Sequence, residues 1–273
     1  DYTVHDKVHP NKAGAEKMAT VWFEALKKVL ASSETVFSPE IVRYKTLEDG
    51  DSLALHIFKP RNMQAGEKRP AIVYFFGGGW KLGTPIQFYR ECAYYASKGM
   101  VAVSVDYRIG YLHHSTPFES FEDAKDAICW LRSHASDYQL DPDKIAVAGG
   151  SAGGHLAAAL GTIGSDETVP AGYRPNLSVL YYPVIDMVSR GYGFPEIKRD
   201  FEKISPIHHV SEATPSTLIL LGTKDPIVSV ETIEAYQDKL LQKGVDCELH
   251  LFEGAGHPIF LYRKPLTEEY YKV

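Results

Sequence analysis

The residue most clearly suited to catalysis is Ser151, the centre of a Gly-x-Ser-x-Gly motif. The apolar run Lys144–Ala148 before it predicts a strand, and the small-residue run Ser151–Thr162 predicts a helix. A serine at such a strand–turn–helix junction lies at the apex of a tight turn, where its hydroxyl can act as a nucleophile. The helix N-terminus also favours negative charge there. The flanking elements disfavour the alternative, a glycine-rich turn with an incidental serine.

A second glycine-rich segment, the Gly-Gly-Gly-Trp run of residues 77–80, follows an apolar run that predicts a buried strand. Consecutive glycines let backbone N–H groups face a ligand without side-chain interference. We predict that the amides of Gly78 and Gly79, with that of Ala152, bind the oxyanion of a tetrahedral intermediate. Trp80 is predicted as a further donor or as part of the substrate pocket. A phosphate-binding loop is disfavoured because no Lys-Ser/Thr pair follows at the required spacing.

Two later loops carry residues that could complete a hydrolytic site. The predicted strand Ser216–Leu221 is followed by Asp225, and the predicted strand Glu248–Phe252 is followed by His257. Because parallel strands present their carboxyl ends at one edge of a sheet, both side chains should meet Ser151 there. His257 would take the Ser151 proton and return it to the leaving group. Asp225 would hold the imidazole tautomer and stabilise the imidazolium.

Other carboxylates and histidines fit these roles less well. Asp186 follows a strand one unit too early, and Glu231 and Asp246 lie on or after a predicted helix. His250 is predicted to be a structural strand residue, and His155 to pack beneath the nucleophile. Two adjacent histidine pairs lack a third ligand at a useful interval, so we predict no metal site and no cofactor: His113-His114 and His208-His209.

Strand and helix patterns alternate from about residue 40, which predicts a mostly parallel central sheet flanked by helices. The predicted strands are Ile41–Leu47, Leu53–Phe58, Ala71–Phe76, Met100–Val105, Lys144–Ala148, Leu177–Tyr182, Ser216–Leu221 and Glu248–Phe252. The predicted helices are Tyr89–Lys98, Phe118–Ser136, Ser151–Thr162 and Val230–Lys243. Residues 187–212 carry glycine, proline and aromatic residues, which favours an irregular insertion over the site.

Composition narrows the class of protein. The 273 residues are 44% hydrophobic and 23% charged, with a net charge of −6, as in an ordinary globular chain. The negative charge disfavours nucleic acid or an anionic membrane as the main partner. No apolar run reaches the roughly 20 residues of a membrane span. The three widely spaced cysteines are predicted to be buried free thiols: Cys92, Cys129 and Cys247.

Five ordered motifs together resemble the α/β-hydrolase esterases over about residues 40–265. They are the glycine run 77–80, the triplet Asp106-Tyr107-Arg108, the motif around Ser151, Gly222-x-x-Asp225 and Gly256-His257. The similarity points to the branch of acetyl esterases and acetyl-xylan or feruloyl esterases, near the hormone-sensitive-lipase-like group. The resemblance implies the α/β-hydrolase fold. One departure is Phe76, where that family usually has a histidine that helps to shape the glycine loop.

The N-terminus carries a second resemblance. Asp6 and His9, within the run Asp-Lys-Val-His-Pro-Asn, look like the final catalytic block of SGNH (GDSL-type) hydrolases. That resemblance implies that residues 1–38 are the helical tail and linker of a preceding SGNH domain, with Asp6 and His9 inert here. Residues 39–273 would be the catalytic domain, with a truncated last helix. The chain begins with Asp1, so we expect a fragment or processed product, from a secreted or periplasmic parent.

These observations predict a serine carboxylesterase that deacetylates acetylated xylan or xylo-oligosaccharides through an acyl-enzyme. The paired esterase resemblances favour a polysaccharide-degrading carbohydrate esterase with a small-molecule or oligosaccharide ester substrate. A feruloyl esterase is an alternative, with a deeper pocket that could be lined by Tyr107, Tyr111, Tyr192 and Phe194. An amide-cleaving relative of the arylformamidase or prolyl-peptidase type and a non-catalytic binding module remain further alternatives.

Overall fold

A computed structural model describes residues 38–164, 171–187 and 200–258. The chain divides into two units between Ser38 and Pro39. The N-terminal resemblance and the expected last helix lie outside the described residues, and the division into an SGNH tail and a catalytic domain stays a prediction. Among the helices that the structure describes, none is long and apolar enough to cross a membrane.

Eight strands of the described residues form one sheet, in the order β1-β2-β4-β3-β5-β6-β7-β8. They are β1 (Glu40–Thr46), β2 (Ser52–Phe58), β3 (Arg69–Phe75), β4 (Val101–Val105), β5 (Leu140–Gly150), β6 (Leu177–Tyr181), β7 (Ser216–Gly222) and β8 (Cys247–Phe252). β1 pairs with β2, and β2 with β4, in antiparallel fashion, whereas every neighbouring pair among β3 to β8 is parallel. The predicted mostly parallel sheet is therefore confirmed.

Helices cover this sheet. They are α1 (Tyr89–Ser97), α2 (Gly110–His113), α3 (Pro117–Ser133), α4 (Ala152–Thr162), α5 (Phe201–Ile204) and α6 (Val230–Gln242). Short 3-10 turns span Pro85–Phe88, Ala171–Tyr173 and Pro206–His208. α1 packs on β4, α4 on β5 and β6, and α6 on β8. α3 begins at Pro117, one residue before the predicted start, because Thr116 and Glu119 form a capping box around Pro117.

The central strands bury both faces. All of β4 is buried, as are the last five residues of β3, which explains their apolar runs without alternation. β5 is longer than the predicted strand, and part of the segment predicted to be irregular forms α5 and the turn Pro206–His208. Cys129 is exposed, contrary to the prediction of a buried thiol, because it lies on the outer face of α3.

The pairing between neighbouring strands aligns their carboxyl ends. Phe75 pairs with Gly149, Gly150 pairs with Tyr181, and Gly222 pairs with Phe252. The loops that leave these strands carry the glycine run and the predicted nucleophile, acid and base. Strand register therefore brings segments far apart in sequence to one edge of the sheet.

The loop after β4 is fixed by a buried carboxylate. Asp123 of α3 is fully buried and pairs with Arg108 through two side-chain contacts of 2.8 Å. The ammonium of Lys45 lies 2.6 Å from the same carboxylate, and the Arg108 backbone amide donates to it at 3.0 Å. Losing one partner of such a buried pair typically costs about 3–5 kcal/mol. The residue before Arg108, Tyr107, is thereby held in place.

Candidate active site

The predicted nucleophile, base and acid lie in one hydrogen-bonded line. The Ser151 Oγ is 2.9 Å from His257 Nε2, and His257 Nδ1 is 2.7 Å from Asp225 Oδ2. When Nδ1 carries the proton and its N–H donates a hydrogen bond to the carboxylate, Nε2 is free to accept the serine hydroxyl proton. The arrangement thus offers a hydroxyl, an imidazole within proton-transfer reach of it and a carboxylate that fixes the imidazole, as nucleophilic catalysis requires.

The turn around Ser151 is strained and crowded. Ser151 has φ 55° and ψ −118°, in a region that non-glycine residues rarely occupy. A Cβ on Gly153 would lie 2.0 Å from the Phe75 carbonyl oxygen, and one on Gly149 would lie 2.3 Å from the Gly153 carbonyl oxygen. The Ser151 amide donates to the Tyr181 carbonyl at 3.0 Å. The two glycines are therefore needed for α4 to pass so close to β3 and β5.

Asp225 divides its two carboxylate oxygens between two tasks. Oδ1 accepts hydrogen bonds from the amides of Ile227 at 2.8 Å and Val228 at 2.9 Å, while Oδ2 faces His257. Burial of the carboxylate opposes its charge, but the hydrogen bonds from His257 and the two amides outweigh burial and lower the pKa of Asp225. The carboxylate is therefore ionised at neutral pH and is rigidly aimed at the imidazole.

The glycine run forms a tight curl beside the nucleophile. Gly78 has φ 138° and Gly79 has φ 62°, and the Gly78 carbonyl accepts from the amides of Lys81 and Leu82, both at 3.1 Å. With the carbonyl turned into the curl, the amides of Gly78 and Gly79 have no acceptor within the described ranges, and neither does that of Ala152. These three predicted donors are thus available for an oxyanion.

Tyr107 lies behind the glycine run and not in a substrate pocket, which differs from the predicted role. Its side chain is fully buried, its ring stacks on that of Phe76 at 4.1 Å, and its hydroxyl donates to the Phe76 carbonyl at 2.6 Å. A hydroxyl committed in this way cannot also face a substrate. Burial beneath the loop explains the difference, because β4 ends directly under the start of the glycine run.

Trp80 and His155 pack together beneath the nucleophile. The indole is 1% exposed and meets the His155 ring edge to face, with centroids 5.0 Å apart. His155 Nε2 donates to the Ile204 carbonyl at 2.7 Å. Burial lowers the pKa of His155 to about 4, with the bond to Ile204 acting in the opposite direction. His155 is thus a neutral packing residue at pH 7.

The competing candidates lie away from the line of three. Asp186 is 3.8 Å from His208, and His250 is 2.7 Å from Glu248. Glu231 and Asp246 are exposed. Of the aromatic residues considered for a pocket, Tyr111 is 70% exposed, whereas Tyr192 and Phe194 lie outside the described residues. Within residues 38–164, 171–187 and 200–258, no group of three His, Cys, Asp or Glu side chains could hold a metal ion.

Tyr182 was not predicted as a site residue, yet it contacts the base. It follows β6 with φ 39°, and its ring lies 4.6 Å from that of His257 at 67°. A Cβ on Gly150 would lie 2.7 Å from the Tyr182 hydroxyl. The available signal was its place at the carboxyl end of the strand next to β5. Sequence alone could not tell that its ring turns toward the imidazole.

Comparisons with known proteins agree with this geometry. The family model described as BD-FAE matches residues 55–189. An esterase from the Planctomycetes species Thermogutta terrifontis, Est2, is 36% identical with a TM-score of 0.79, and the match covers 86% of this chain and 88% of that chain. The propionate-bound structure of Est2 matches at 36% identity with a TM-score of 0.78, covering 86% and 90% of the two chains.

Two curated relatives extend the comparison. Esterase LipC of Mycobacterium tuberculosis is 28% identical over 241 residues, which are 77% of this chain and 57% of LipC. An acetylxylan esterase of Xylanibacter ruminicola is 26% identical over 227 residues, which are 77% of this chain and 44% of the relative. The chain therefore spans about half the length of the curated relatives it matches.

Proposed function

The chain belongs to the esterases of the α/β-hydrolase fold, and we propose that it is a serine carboxylesterase that deacetylates acetylated xylan or xylo-oligosaccharides. The observation that carries the serine mechanism is the unbroken line from Ser151 through His257 to Asp225, at 2.9 and 2.7 Å. The amides of Gly78, Gly79 and Ala152 complete the site, because none of them donates a hydrogen bond to an acceptor among the described residues.

In the first half of the proposed reaction, His257 removes the Ser151 proton as the Ser151 oxygen attacks the ester carbonyl carbon. The carbonyl π electrons move to the oxygen, and the resulting oxyanion receives hydrogen bonds from the loop amides and Ala152. Collapse of this intermediate breaks the bond to the alkoxy oxygen. His257 gives its proton to that oxygen, the alcohol departs, and the acyl group remains bound to Ser151 as an acyl-enzyme.

In the second half, a water molecule gives a proton to His257 and attacks the acyl carbon. The second tetrahedral intermediate uses the same amides, and its collapse returns the proton to Ser151 and releases the carboxylic acid. Asp225 stays ionised throughout, because its lowered pKa favours the carboxylate that stabilises the imidazolium.

The substrate class is supported by the surface beside the glycine loop. A cavity of about 250 Å³ is lined by Gly79 and Trp80 together with Lys81, Tyr111, His114 and Ser115. An exposed aromatic ring beside hydrogen-bonding side chains suits a sugar, whose C–H face stacks on an aromatic and whose hydroxyls need polar partners. The name of the acetylxylan esterase relative supports an acetylated sugar, and the propionate bound in Est2 supports a short acyl group.

The test compares wild type with Ser151→Ala on 4-nitrophenyl acetate, acetylated xylan, acetylated xylo-oligosaccharides and feruloylated arabinoxylan. Acetate and ferulate release are measured. We expect acetate from wild type and a loss of turnover of about 10,000-fold or more in the variant. Ser133→Ala, at an exposed position of α3, is the matched control and should keep full activity.

Each outcome decides one part of the proposal. Unchanged turnover by Ser151→Ala overturns the serine mechanism. Ferulate release without acetate release would make the protein a feruloyl esterase, and cleavage of aminoacyl-proline or formamide substrates in place of esters would make it an amide hydrolase. Failure of a fluorophosphonate probe to label wild type at Ser151 would favour a non-catalytic binding module.

A further inference from the structure

Both polar groups of one peptide unit at the start of the glycine loop are held by side chains. The carbonyl of Phe76 accepts from the Tyr107 hydroxyl at 2.6 Å, and the amide of Gly77 donates to Gln87 Oε1 at 2.5 Å. These two groups belong to the same Phe76–Gly77 peptide. We propose that Gln87 and Tyr107 form a peptide clamp that positions the oxyanion donors for catalysis.

A clamp on this peptide has a direct mechanical effect. The C=O and N–H of a trans peptide point in opposite directions in one plane, so a partner at each end fixes the rotation of that plane. The next residues are glycines with broad backbone freedom, and they carry the donor amides of Gly78 and Gly79. Because the Gly78 carbonyl is bonded to the amides of Lys81 and Leu82, the curl moves as a unit, and rotation of the Phe76–Gly77 plane at its start would displace both donor amides.

Gln87 is itself held firmly. It lies in the 3-10 turn Pro85–Phe88, where the buried Ser104 hydroxyl donates to the Pro85 carbonyl at 2.7 Å. The Phe88 ring stacks on that of Tyr74, with centroids 4.8 Å apart. A long side chain anchored at its backbone in this way can hold a fixed acceptor in front of Gly77.

Tyr107 is anchored on both sides. The Tyr44 hydroxyl donates to the Asp106 carbonyl at 2.7 Å, and Arg108 is paired with the buried Asp123. The ring of Tyr107 is stacked on Phe76, whose phenyl side chain offers no hydrogen-bonding group of its own. Both halves of the clamp are thus anchored by contacts outside the glycine loop.

The clamped peptide also lies against the nucleophile. A Cβ on Gly77 would be 2.9 Å from the Gly150 carbonyl oxygen, 3.4 Å from Ser151 Cβ and 3.5 Å from Gln87 Oε1. Because the Gly77 amide is already engaged by Gln87, it is not one of the oxyanion donors. Its part is to set the distance between the donors that follow and the hydroxyl of Ser151.

The inference rests on the proposed serine mechanism, and the experiment uses 4-nitrophenyl acetate together with an alkyl trifluoromethyl ketone. Serine adds to the carbonyl of this inhibitor, and the resulting oxyanion occupies the donor site. The variants are Gln87→Met, which keeps length but loses the strong acceptor, and Tyr107→Phe. Matched controls are Ile86→Ala, at an exposed position of the same turn, and Tyr173→Phe, which loses a hydroxyl bond to the Ile163 carbonyl at the opposite end of α4 from Ser151.

We expect kcat to fall roughly 10- to 100-fold in both clamp variants, because misplaced donors forfeit part of the roughly 100- to 1,000-fold effect of a whole donor. KM should stay within about twofold, since ground-state binding does not use the oxyanion geometry. Trifluoromethyl ketone inhibition should weaken by a factor similar to that in kcat. The two control variants should keep wild-type kcat and inhibition.

Unchanged kcat in Gln87→Met and Tyr107→Phe overturns the clamp, as does a loss of kcat without weaker ketone inhibition. If one clamp variant fails to fold, the other still decides the question. Losses of kcat in the control variants equal to those in the clamp variants also overturn the clamp. Failure of the serine mechanism is a separate result, because it shows as activity retained by Ser151→Ala.

Discussion

The turn that carries Ser151 and the glycine loop that faces it are held in different ways. The Ser151 turn is fixed by its own strand and helix, with Gly153 packed against the end of β3 and no room for a Cβ. The glycine loop takes its position from side chains on other elements, chiefly Gln87 and Tyr107. Both are glycine-rich in sequence, yet the glycine loop, although curled by its own backbone hydrogen bonds, is also anchored by side chains of other elements.

Because of this difference, we expect substitutions in the Ser151 turn to affect mainly stability and substitutions in the glycine loop to affect mainly the reaction rate. Disturbing the Ser151 turn must shift backbone in the centre of the sheet, which is close-packed and costly to move. Disturbing the glycine loop moves residues such as Leu82, which is 52% exposed. We therefore expect changes in the turn to unfold the protein and changes in the loop to slow the reaction.

The largest effect is expected for Gly153→Ala. The added Cβ would lie 2.0 Å from the Phe75 carbonyl oxygen and 2.5 Å from that of Phe76, so β3 and α4 must separate. We expect the free energy of unfolding to drop by more than about 3 kcal/mol, measured by urea denaturation. Gly172→Ala, where the nearest atom is 3.5 Å away, is the control. A loss below 1 kcal/mol for Gly153→Ala would break the comparison.

Gly78→Ala tests the loop in the same way. Its Cβ would lie 2.0 Å from the Leu82 carbonyl oxygen, and φ 138° is unfavourable for alanine. The curl must open, so we expect kcat on 4-nitrophenyl acetate to fall roughly 100- to 1,000-fold. The urea midpoint should shift much less than in Gly153→Ala. An unfolded Gly78→Ala protein, or one with normal kcat, would contradict the distinction between turn and loop.

The smallest effect concerns His155, which touches Trp80 of the loop from beneath the turn. Its pKa in the folded protein is about 4, below the ordinary value of 6.5. The unfolded chain therefore takes up the proton first, so this contribution to stability is complete above pH 6.5 and is lost as the pH falls toward 4.

As the pH falls from 6.5 to 4, the free energy of unfolding of wild type should drop by up to about 3 kcal/mol more than that of His155→Gln, measured by urea denaturation at several pH values. His209→Gln is the control, since His209 Nε2 also donates to a backbone carbonyl, that of Glu202 at 2.7 Å, but near the surface. Parallel stability curves for wild type and His155→Gln would show that the buried imidazole does not resist protonation.

The sequence predicted the sheet and the order of its elements because the signals are local. The apolar runs at β3 and β4 lack alternation, as expected of strands buried on both faces, and the small-residue run after Ser151 predicted α4. Ser151, Asp225 and His257 could be selected because each follows a strand in the loop that leaves the same edge. The longer extent of β5 and the turn Pro206–His208 were missed, since their ends depend on neighbouring strands and loops.

By itself, the sequence selected the three candidate residues that lie together in the structure, and the strands that bring them to one edge of the sheet. Only the tertiary structure decided the roles of Tyr107, Gln87 and Tyr182. Tyr107 was expected in the pocket but holds a carbonyl behind the loop, and Gln87 carries no local signal at all. The physical reason is that a hydrogen bond between elements depends on where two independently placed segments meet, which no periodicity within either segment records.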